Sequence, residues 1–459
     1  MFEIEEKQLN ELNQVIRDIP EPDNINEYIK RGLLLGIKKK KHNTVKLFAN
    51  IGAALIMVIF IVSVRTIPVM AEYMSKIPGL GYLVDLINYD KGLKSAIDNN
   101  FIQHINLSQT HDGITFTISD VILDNSKGII FYSIKHDGEP RYVLLDDVKF
   151  LDDNNNILKA FSSWNYPPND NEDKTSTHNN KIELDFNDET LLPDNIKIEI
   201  TLKQSDIPYI DPNSQQTKLA PVWKFQLPVD KAKINRMQRT YLLNKSINIE
   251  GQTIQFKQVD ITPTRIAVKI EYDKNNSKKI FRYDDMKLID EKGEEWGNII
   301  NGVSSARKDE NHEILYFQSN YFNTPKELYL QGTSLRALDK DKCTVQVDIE
   351  KGTLISTPDN KLTLDGVSSS DYDSILRFNL KVDNPFDNNY VYHLFEHEFR
   401  DSDNKLLMAD NTGTNTSING AQQQINFSIK SNLKIKNPIY LTLEDYPKRI
   451  TGSFKIKIK

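Results

Sequence analysis

The pattern with the strongest claim to chemistry is a pair of histidines around a glutamate, His393-Leu-Phe-Glu396-His397. It matches H-x-x-E-H, in which two histidines on one helix face bind zinc and the glutamate assists catalysis. The flanking residues, from Tyr390 to Phe399, are aromatic and branched and predict a strand. On a strand the two histidines lie about 13 Å apart, too far for one zinc ion. No third ligand is indicated nearby, so we expect no metal site.

Two acidic runs and one cysteine are the remaining candidates for chemistry. The runs Asp152-Asp153-Asn154-Asn155-Asn156 and Asp401-Ser402-Asp403-Asn404 resemble calcium loops but lack the spaced glycine and closing glutamate of an EF-hand. Tight turns explain them better. Cys343 has no nucleophile companion, and we interpret it as a small core residue. Without a phosphate loop or a G-x-S-x-G elbow, the sequence predicts no catalytic residue, no cofactor and no enzyme.

A long apolar run near the N-terminus predicts a membrane span. Residues 45–64 read VKLFANIGAALIMVIFIVSV, and no charged residue occurs between Leu47 and Val64. A helix of that uncharged length crosses about 27 Å, close to the ~30 Å hydrocarbon core of a bilayer. A buried core helix is the alternative, but the rest of the chain is polar. We therefore predict one transmembrane helix at residues 45–65.

Basic residues on one side of the run predict its orientation. The lysines before it are Lys38, Lys39, Lys40, Lys41 and Lys46. By the positive-inside rule the N-terminus is cytoplasmic and the C-terminus is extracellular. A cleaved signal peptide would need a basic region of more than forty residues, so a signal anchor fits better. Secondary cleavage after Val69-Met70-Ala71 stays an alternative.

Composition excludes some partners and indicates a type of cell. The chain has 459 residues and a formal net charge of −6, and no long basic surface follows the juxtamembrane lysines, so we expect no nucleic-acid partner. Cys343 is the only cysteine, so no internal disulfide can form. A large exported region without disulfides favours a Gram-positive bacterium.

The cytoplasmic segment, residues 1–44, carries two amphipathic helical patterns. Their apolar residues recur at three- and four-residue spacing and form stripes suited to a partner protein. The candidate partner-binding residues are Leu9, Leu12, Val15, Ile16, Ile29 and Leu33. About forty residues bury little core alone, so a partner would complete the fold. A passive stop-transfer flank is the alternative.

The region outside the membrane begins with a helical pattern and continues with strands. Residues 66–103 form either a helical stalk or a helix that packs its apolar residues, among them Leu93, Ala96 and Ile97, on the first outer domain. From residue 104 the pattern has period two and repeats. We predict a mainly β region of tandem immunoglobulin-like sandwiches at residues 104–230, 231–352 (including a linker) and 353–459.

Three short segments resemble a known family. They are Ile29 to Lys41, then Ile67 to Gly81 after the span, then Gly92-Leu-Lys-Ser-Ala96. Together they resemble membrane-anchored, anti-sigma-factor-like regulators of Bacillus-like bacteria, which have an outer domain of unknown function. The second β unit looks like the immunoglobulin-like domain often appended to it. The cytoplasmic segment lacks the His/Cys pattern of zinc-type anti-sigma domains.

The resemblance implies a role in signal transduction and transcription regulation. The outer sandwiches would sense an envelope condition through an unknown ligand, and the cytoplasmic helices would sequester an extracytoplasmic-function sigma factor. The partners expected are that sigma factor, the lipid bilayer and the envelope ligand. The alternative is a cell-surface binding or adhesion module whose cytoplasmic part is only an anchor.

Overall fold

The computed structural model describes Ile87 and residues 90–459, except residues 137–141, 165–177, 188–189, 206–214, 298, 300–302, 388–389 and 417–421. These residues belong to one compact unit, Tyr82–Lys459. The described part of the chain contains no helix long and apolar enough to cross a membrane. The predicted cytoplasmic segment and the predicted span at 45–65 lie outside the described residues and stay predictions.

The described fold is mainly β, as predicted, and consists of three sandwiches preceded by a short helix. The helix α1 spans Lys91–Asp98. The first sandwich contains eight strands, β1 (Gln103–His111), β2 (Ile114–Leu123), β3 (Lys127–His136), β4 (Tyr142–Leu151), β5 (Ala160–Trp164), β6 (His178–Phe186), β7 (Asn195–Ser205) and β8 (Gln216–Pro228). They form two sheets, β1-β2-β3-β6-β5 and β4-β7-β8, whose inner faces share one core.

The second sandwich follows a short helix, α2 (Lys231–Arg236). Its strands in this part of the chain are β9 (Arg239–Ile249), β10 (Gln252–Ile261), β11 (Arg265–Tyr272), β12 (Lys278–Tyr283), β13 (Lys287–Asp290), β14 (Glu295–Trp296), β15 (Ser305–Arg307), β16 (His312–Gln318) and β17 (Leu328–Asp339). The two sheets have the orders β15-β16-β11-β10-β9 and β12-β17-β13-β14.

The third sandwich follows a 3-10 turn at Lys340–Lys342 and contains a second one at Pro385–Asp387. Its strands are β18 (Thr344–Asp348), β19 (Thr353–Ser356), β20 (Leu362–Ser369), β21 (Asp373–Lys381), β22 (Phe395–Arg400), β23 (Leu406–Met408), β24 (Asn411–Thr416), β25 (Gln422–Lys430) and β26 (Ile439–Leu443). The sheets have the orders β19-β18-β26-β22-β23 and β20-β21-β25-β24.

Period-two alternation and repeated turns explain the first two units. Along β2, Ile114, Phe116 and Ile118 are at most 1% exposed, while the threonines between them point outward. Asp112-Gly113 joins β1 to β2, and Glu250-Gly251 joins β9 to β10. All four of these turn residues have positive φ, the geometry of two-residue type I′ hairpins. The repeat found in the sequence therefore corresponds to a repeated hairpin.

The C-terminal strand does not belong to the unit in which the sequence places it. Strand β27 (Arg449–Lys457) pairs with β17 of the second sandwich, with Arg336 opposite Arg449. In the first sandwich, the place beside β7 is filled by β8, the next strand in the chain. By contrast β18, which follows β17, pairs with β26 of the third sandwich. The second and third sandwiches therefore exchange their last strands, which corrects the predicted boundary at residues 352–353.

Where the chain crosses twice between the two sandwiches, hydrogen bonds extend the strand pairing at both ends of the crossing. Between the paired strands, the Ala337 N–H donates to the Lys448 carbonyl at 2.9 Å, and the Leu443 N–H donates to the Cys343 carbonyl at 2.8 Å. A hinge needs a few residues that are able to absorb large φ/ψ changes. Because each crossing is hydrogen-bonded to a strand end beside the other crossing, we expect the second and third sandwiches to move together.

Candidate functional site

The partner-binding residues predicted from sequence cannot be placed. All of them, and the lysines that predict topology, precede the first described residue: Leu9, Leu12, Val15, Ile16, Ile29, Leu33, Lys38, Lys39, Lys40 and Lys41. The functional geometry that the structure does describe lies at the junctions between the sandwiches.

The H-x-x-E-H segment does not lie on a helix, as it would in a zinc peptidase. Phe395–Arg400 is a strand, and His393 precedes it in irregular backbone. The His397 ring lies 3.3 Å from the Thr412 hydroxyl. Among the described residues, no three His, Cys, Asp or Glu side chains are placed to hold a metal ion.

The acidic runs form hairpin turns that occur in all three sandwiches. Asp152 and Asp290 each accept the backbone N–H groups two and four residues later at 2.8 Å, and Asp401 does so at 3.0 Å. The residue three positions after each aspartate has a left-handed φ of 66°, 80° and 61°, respectively: Asn155, Gly293 and Asn404. Asp and Asn are favoured in these turns for backbone reasons.

Cys343 is a buried residue of the third core. Its thiol is 7% exposed and lies 3.4 Å from the Asp339 carbonyl oxygen. Burial raises the pKa of the Cys343 thiol to about 11. A thiol with so little thiolate at neutral pH is a poor nucleophile, in keeping with the interpretation as a core residue.

Helix α1, near the start of the described residues, contacts the second sandwich. Asp90 caps it by accepting the Gly92 and Leu93 N–H groups, both at 2.9 Å. A Cβ atom on Gly92 would lie 2.4 Å from the Ser319 backbone nitrogen, so only glycine allows this approach to the loop after β16. Leu93 and Ala96 are buried. The sequence analysis expects either a stalk or packing on the first outer domain, and the structure shows this helix in contact with β16 of the second sandwich and the loop after it.

The same helix holds the second sandwich with charged and aromatic contacts. The Lys91 ammonium lies 3.2 Å from a Glu294 carboxylate oxygen and 4.0 Å from the Trp296 ring centroid. Phe101, just after the helix, lies 6.1 Å from Phe322 between ring centroids. Gly92-Leu-Lys-Ser-Ala96, a segment of the family resemblance, is thus part of an interdomain contact.

A buried ion cluster joins the first sandwich to the second. Arg265, at the start of β11, is 1% exposed and lies 3.7 Å from the Tyr316 ring centroid. Its guanidinium donates to the Asp185 carboxylate at 2.5 Å and to the Ser126 hydroxyl at 2.5 Å. Lys127, also buried, pairs with Glu183 and lies 3.9 Å from Asp185. Buried charges of this kind need their partners, because each alone would carry a large desolvation cost.

A second ion cluster joins the second sandwich to the third. Arg449, the first residue of β27, donates to Asp284 of the second sandwich at 2.9 Å and to Asp387 of the third at 3.0 Å. Tyr392 donates to Asp387 at 2.7 Å. Attraction to both carboxylates raises the pKa of Arg449 against the effect of burial. One arginine on the exchanged strand therefore bridges both domains.

A cleft of about 310 Å³ opens beside this cluster, between the second and third sandwiches. Arg307 in its lining donates to Glu313 at 2.8 Å, and Arg282 donates to the Tyr390 hydroxyl at 3.3 Å. The Tyr390 hydroxyl in turn donates to Asp445 at 2.8 Å. The volume is at the lower end of the range of small-molecule sites, and the lining combines aromatic and charged groups.

The two carboxylates of the cleft, Asp445 and Glu444, differ in how close an opposite charge lies to them. Arg336 donates to Asp445 at 2.7 Å and stacks at 4.0 Å on the Tyr390 ring centroid. Burial raises the pKa of Asp445, opposing the attraction of Arg336. Burial also raises the pKa of Glu444, opposing the attraction of His393. The sequence analysis missed these residues because their partners are far apart in the chain, and the local pattern around each carries no signal.

Two family models match parts of the chain. Domain of unknown function (DUF4179) matches residues 39–136, and Family of unknown function (DUF5643) matches residues 238–354. The first match begins within the lysine run of residues 38–41 and ends with β3. The second begins at β9 and ends in β19, so it omits the strand β27 that completes the second sandwich.

Comparison with individual proteins adds little. No curated protein matches the chain. A structure described as "The crystal structure of the conserved domain protein from Bacillus anthracis" is 16% identical with a TM-score of 0.37, over 56% of this chain and 84% of that chain.

Proposed function

We propose that the chain is a single-pass regulator of the cell membrane that holds a sigma factor inactive through its cytoplasmic helices. The observation that supports this most is the extent of the DUF4179 match. Residues 39–136 include four juxtamembrane lysines, the apolar run, helix α1 and the first three strands. The family unit thus combines a span with the start of an outer sandwich, in agreement with the resemblance to anti-sigma-factor-like regulators.

The two ends of the regulator have separate tasks. The outer sandwiches sense an envelope ligand. The ion clusters and the exchanged strand at their junctions hold them together, so that they act as one sensor. The helices of residues 1–44 bind the sigma factor by laying an apolar stripe into a groove on its surface. Exposed charges contribute little to such an affinity, whereas burying one Leu or Ile is worth ~1.5–3 kcal/mol.

Replacement of Leu9, Leu12 and Ile16 by aspartate together should release the sigma factor. Loss of three buried side chains weakens binding at least about thousandfold. The measurement is co-purification of a sigma factor with the wild-type and triple-variant chains, together with transcription of its regulon, which should rise in the variant.

The control replaces three polar residues of the same helical pattern, Gln8, Asn10 and Asn13, by aspartate. This variant gains the same charge but keeps the stripe and should retain the partner. If the wild type brings down no sigma factor, and deletion of residues 2–36 leaves transcription unchanged, the regulator is not an anti-sigma factor. A surface-binding module anchored by its span would then be the better account.

A further inference from the structure

The cleft between the second and third sandwiches contains a cation without a close carboxylate partner. Arg282, on β12, is exposed, and no carboxylate among the described residues lies within 4.0 Å of its guanidinium. Its guanidinium donates to the neutral Tyr390 hydroxyl at 3.3 Å, lies 5.1 Å from the Tyr390 ring centroid, and attracts the Asp445 carboxylate at longer range. The neighbouring Arg307 differs, because Glu313 lies 2.8 Å from it. Arg282 therefore keeps most of its planar set of donors available.

The cleft also contains a carboxylate without a close ionic partner, although His393 in the same lining attracts it. Glu444 lies in the crossing from β26 to β27, and no described side chain donates a hydrogen bond to its carboxylate or pairs with it within 4.0 Å. The next residue, Asp445, has both Arg336 and Tyr390 as partners. Burial raises the pKa of Glu444, so its carboxylate is partly withdrawn from water. Arg282 and Glu444 do not pair with each other within the same distance.

We propose that this cleft binds a small zwitterionic ligand, an amino acid or short peptide with free ends. Its carboxylate lies on the Arg282 guanidinium and its ammonium group on Glu444. The guanidinium fork matches a carboxylate in two parallel hydrogen bonds. Ser304 and Ser305 supply hydroxyls in the lining, and the Tyr390 ring supplies an apolar wall. Such a ligand would connect the two sandwiches and satisfy both charges at once.

The proposal deepens the proposed function, because it names the chemistry of the envelope ligand, but the binding itself does not depend on a sigma factor. The test uses the purified full chain in detergent and isothermal titration calorimetry. The probes are the dipeptide alanyl-alanine, its N-acetyl derivative, which lacks the ammonium group, and its C-terminal amide, which lacks the carboxylate. We expect the dipeptide to bind at one site, and each derivative to bind about tenfold to hundredfold more weakly.

Two variants assign the charges to residues. Arg282→Gln should weaken dipeptide binding and remove the preference over the amide, and Glu444→Gln should remove the preference over the N-acetyl form. Arg400→Gln and Glu398→Gln are charge-matched controls on exposed positions of β22 and should bind as the wild type does. Absence of saturable dipeptide binding, or binding unchanged in both cleft variants, would overturn the proposal. Absence of sigma-factor co-purification would contradict the proposed function and would leave the proposal of dipeptide binding intact.

Discussion

A chain that ends after Lys448 should lose its second sandwich as well as its last strand. Removal of residues 449–459 deletes β27, whose Ile450 and Ile456 are buried in the second core together with Ile458. At ~1.5–3 kcal/mol for each side chain, the loss is about 4.5–9 kcal/mol before any backbone hydrogen bond is counted. A whole domain is stable by only about 5–15 kcal/mol. We expect limited proteolysis to cleave the second sandwich, while the first keeps its protection.

Point variants on β27 test the loss of side-chain packing alone, without removal of the strand. Ile456→Ala should destabilise the second sandwich by about 2–5 kcal/mol, because it leaves a cavity. Ser453→Ala, at an exposed position of the same strand, should change little. If the truncated chain kept a protected second sandwich and an unprotected third, the exchange of strands would be wrong.

Replacement of Arg265 by alanine should be the most damaging single substitution between the first and second sandwiches. It removes the guanidinium that lies 2.5 Å from Asp185 and leaves that carboxylate buried with Lys127 at 3.9 Å. Breaking a buried pair by removing one partner costs about 3–5 kcal/mol. The measurement is the urea midpoint of unfolding, followed by tryptophan fluorescence, in wild type and variant.

The double variant Arg265→Met with Asp185→Asn is compared with the single variant in the same measurement. It removes both charges and keeps the approximate volume, so it should recover part of the lost stability. Arg400→Ala, at an exposed arginine, is the control and should be nearly neutral. A midpoint in Arg265→Ala equal to that of the wild type would show that the ion cluster does not stabilise the junction.

Features that depend on local pattern were predictable from the sequence. The alternation along β2 and the Asp112-Gly113 turn predict a hairpin, and the structure has one. Asp152 and Asp401 were correctly interpreted as turn residues because Asp-rich hairpin turns have a local backbone cause. The helical character of residues 91–98 followed from a local spacing of apolar residues.

Features that depend on distant pairing were not predictable. Strand β27 alternates as any strand does, and nothing in its own residues indicates whether it pairs with β17 or with β26. Likewise Arg449 gives no sign that it will meet Asp284, 165 positions away, or Asp387. The cleft could not be predicted for the same reason, since Arg282 lies on β12 and Glu444 lies in the crossing from β26 to β27, and only the tertiary fold brings them together.

The placement of the outer sandwiches and the cytoplasmic helices on opposite sides of a membrane is the central claim, and cysteine labelling tests it most directly. In a Cys343→Ser background, single cysteines replace Tyr372, which is 86% exposed in the third sandwich, or Asn13 in the predicted cytoplasmic segment. On intact cells a membrane-impermeant maleimide should label Tyr372→Cys and should reach Asn13→Cys only after lysis. Labelling of Asn13→Cys on intact cells with protection of Tyr372→Cys would contradict the account.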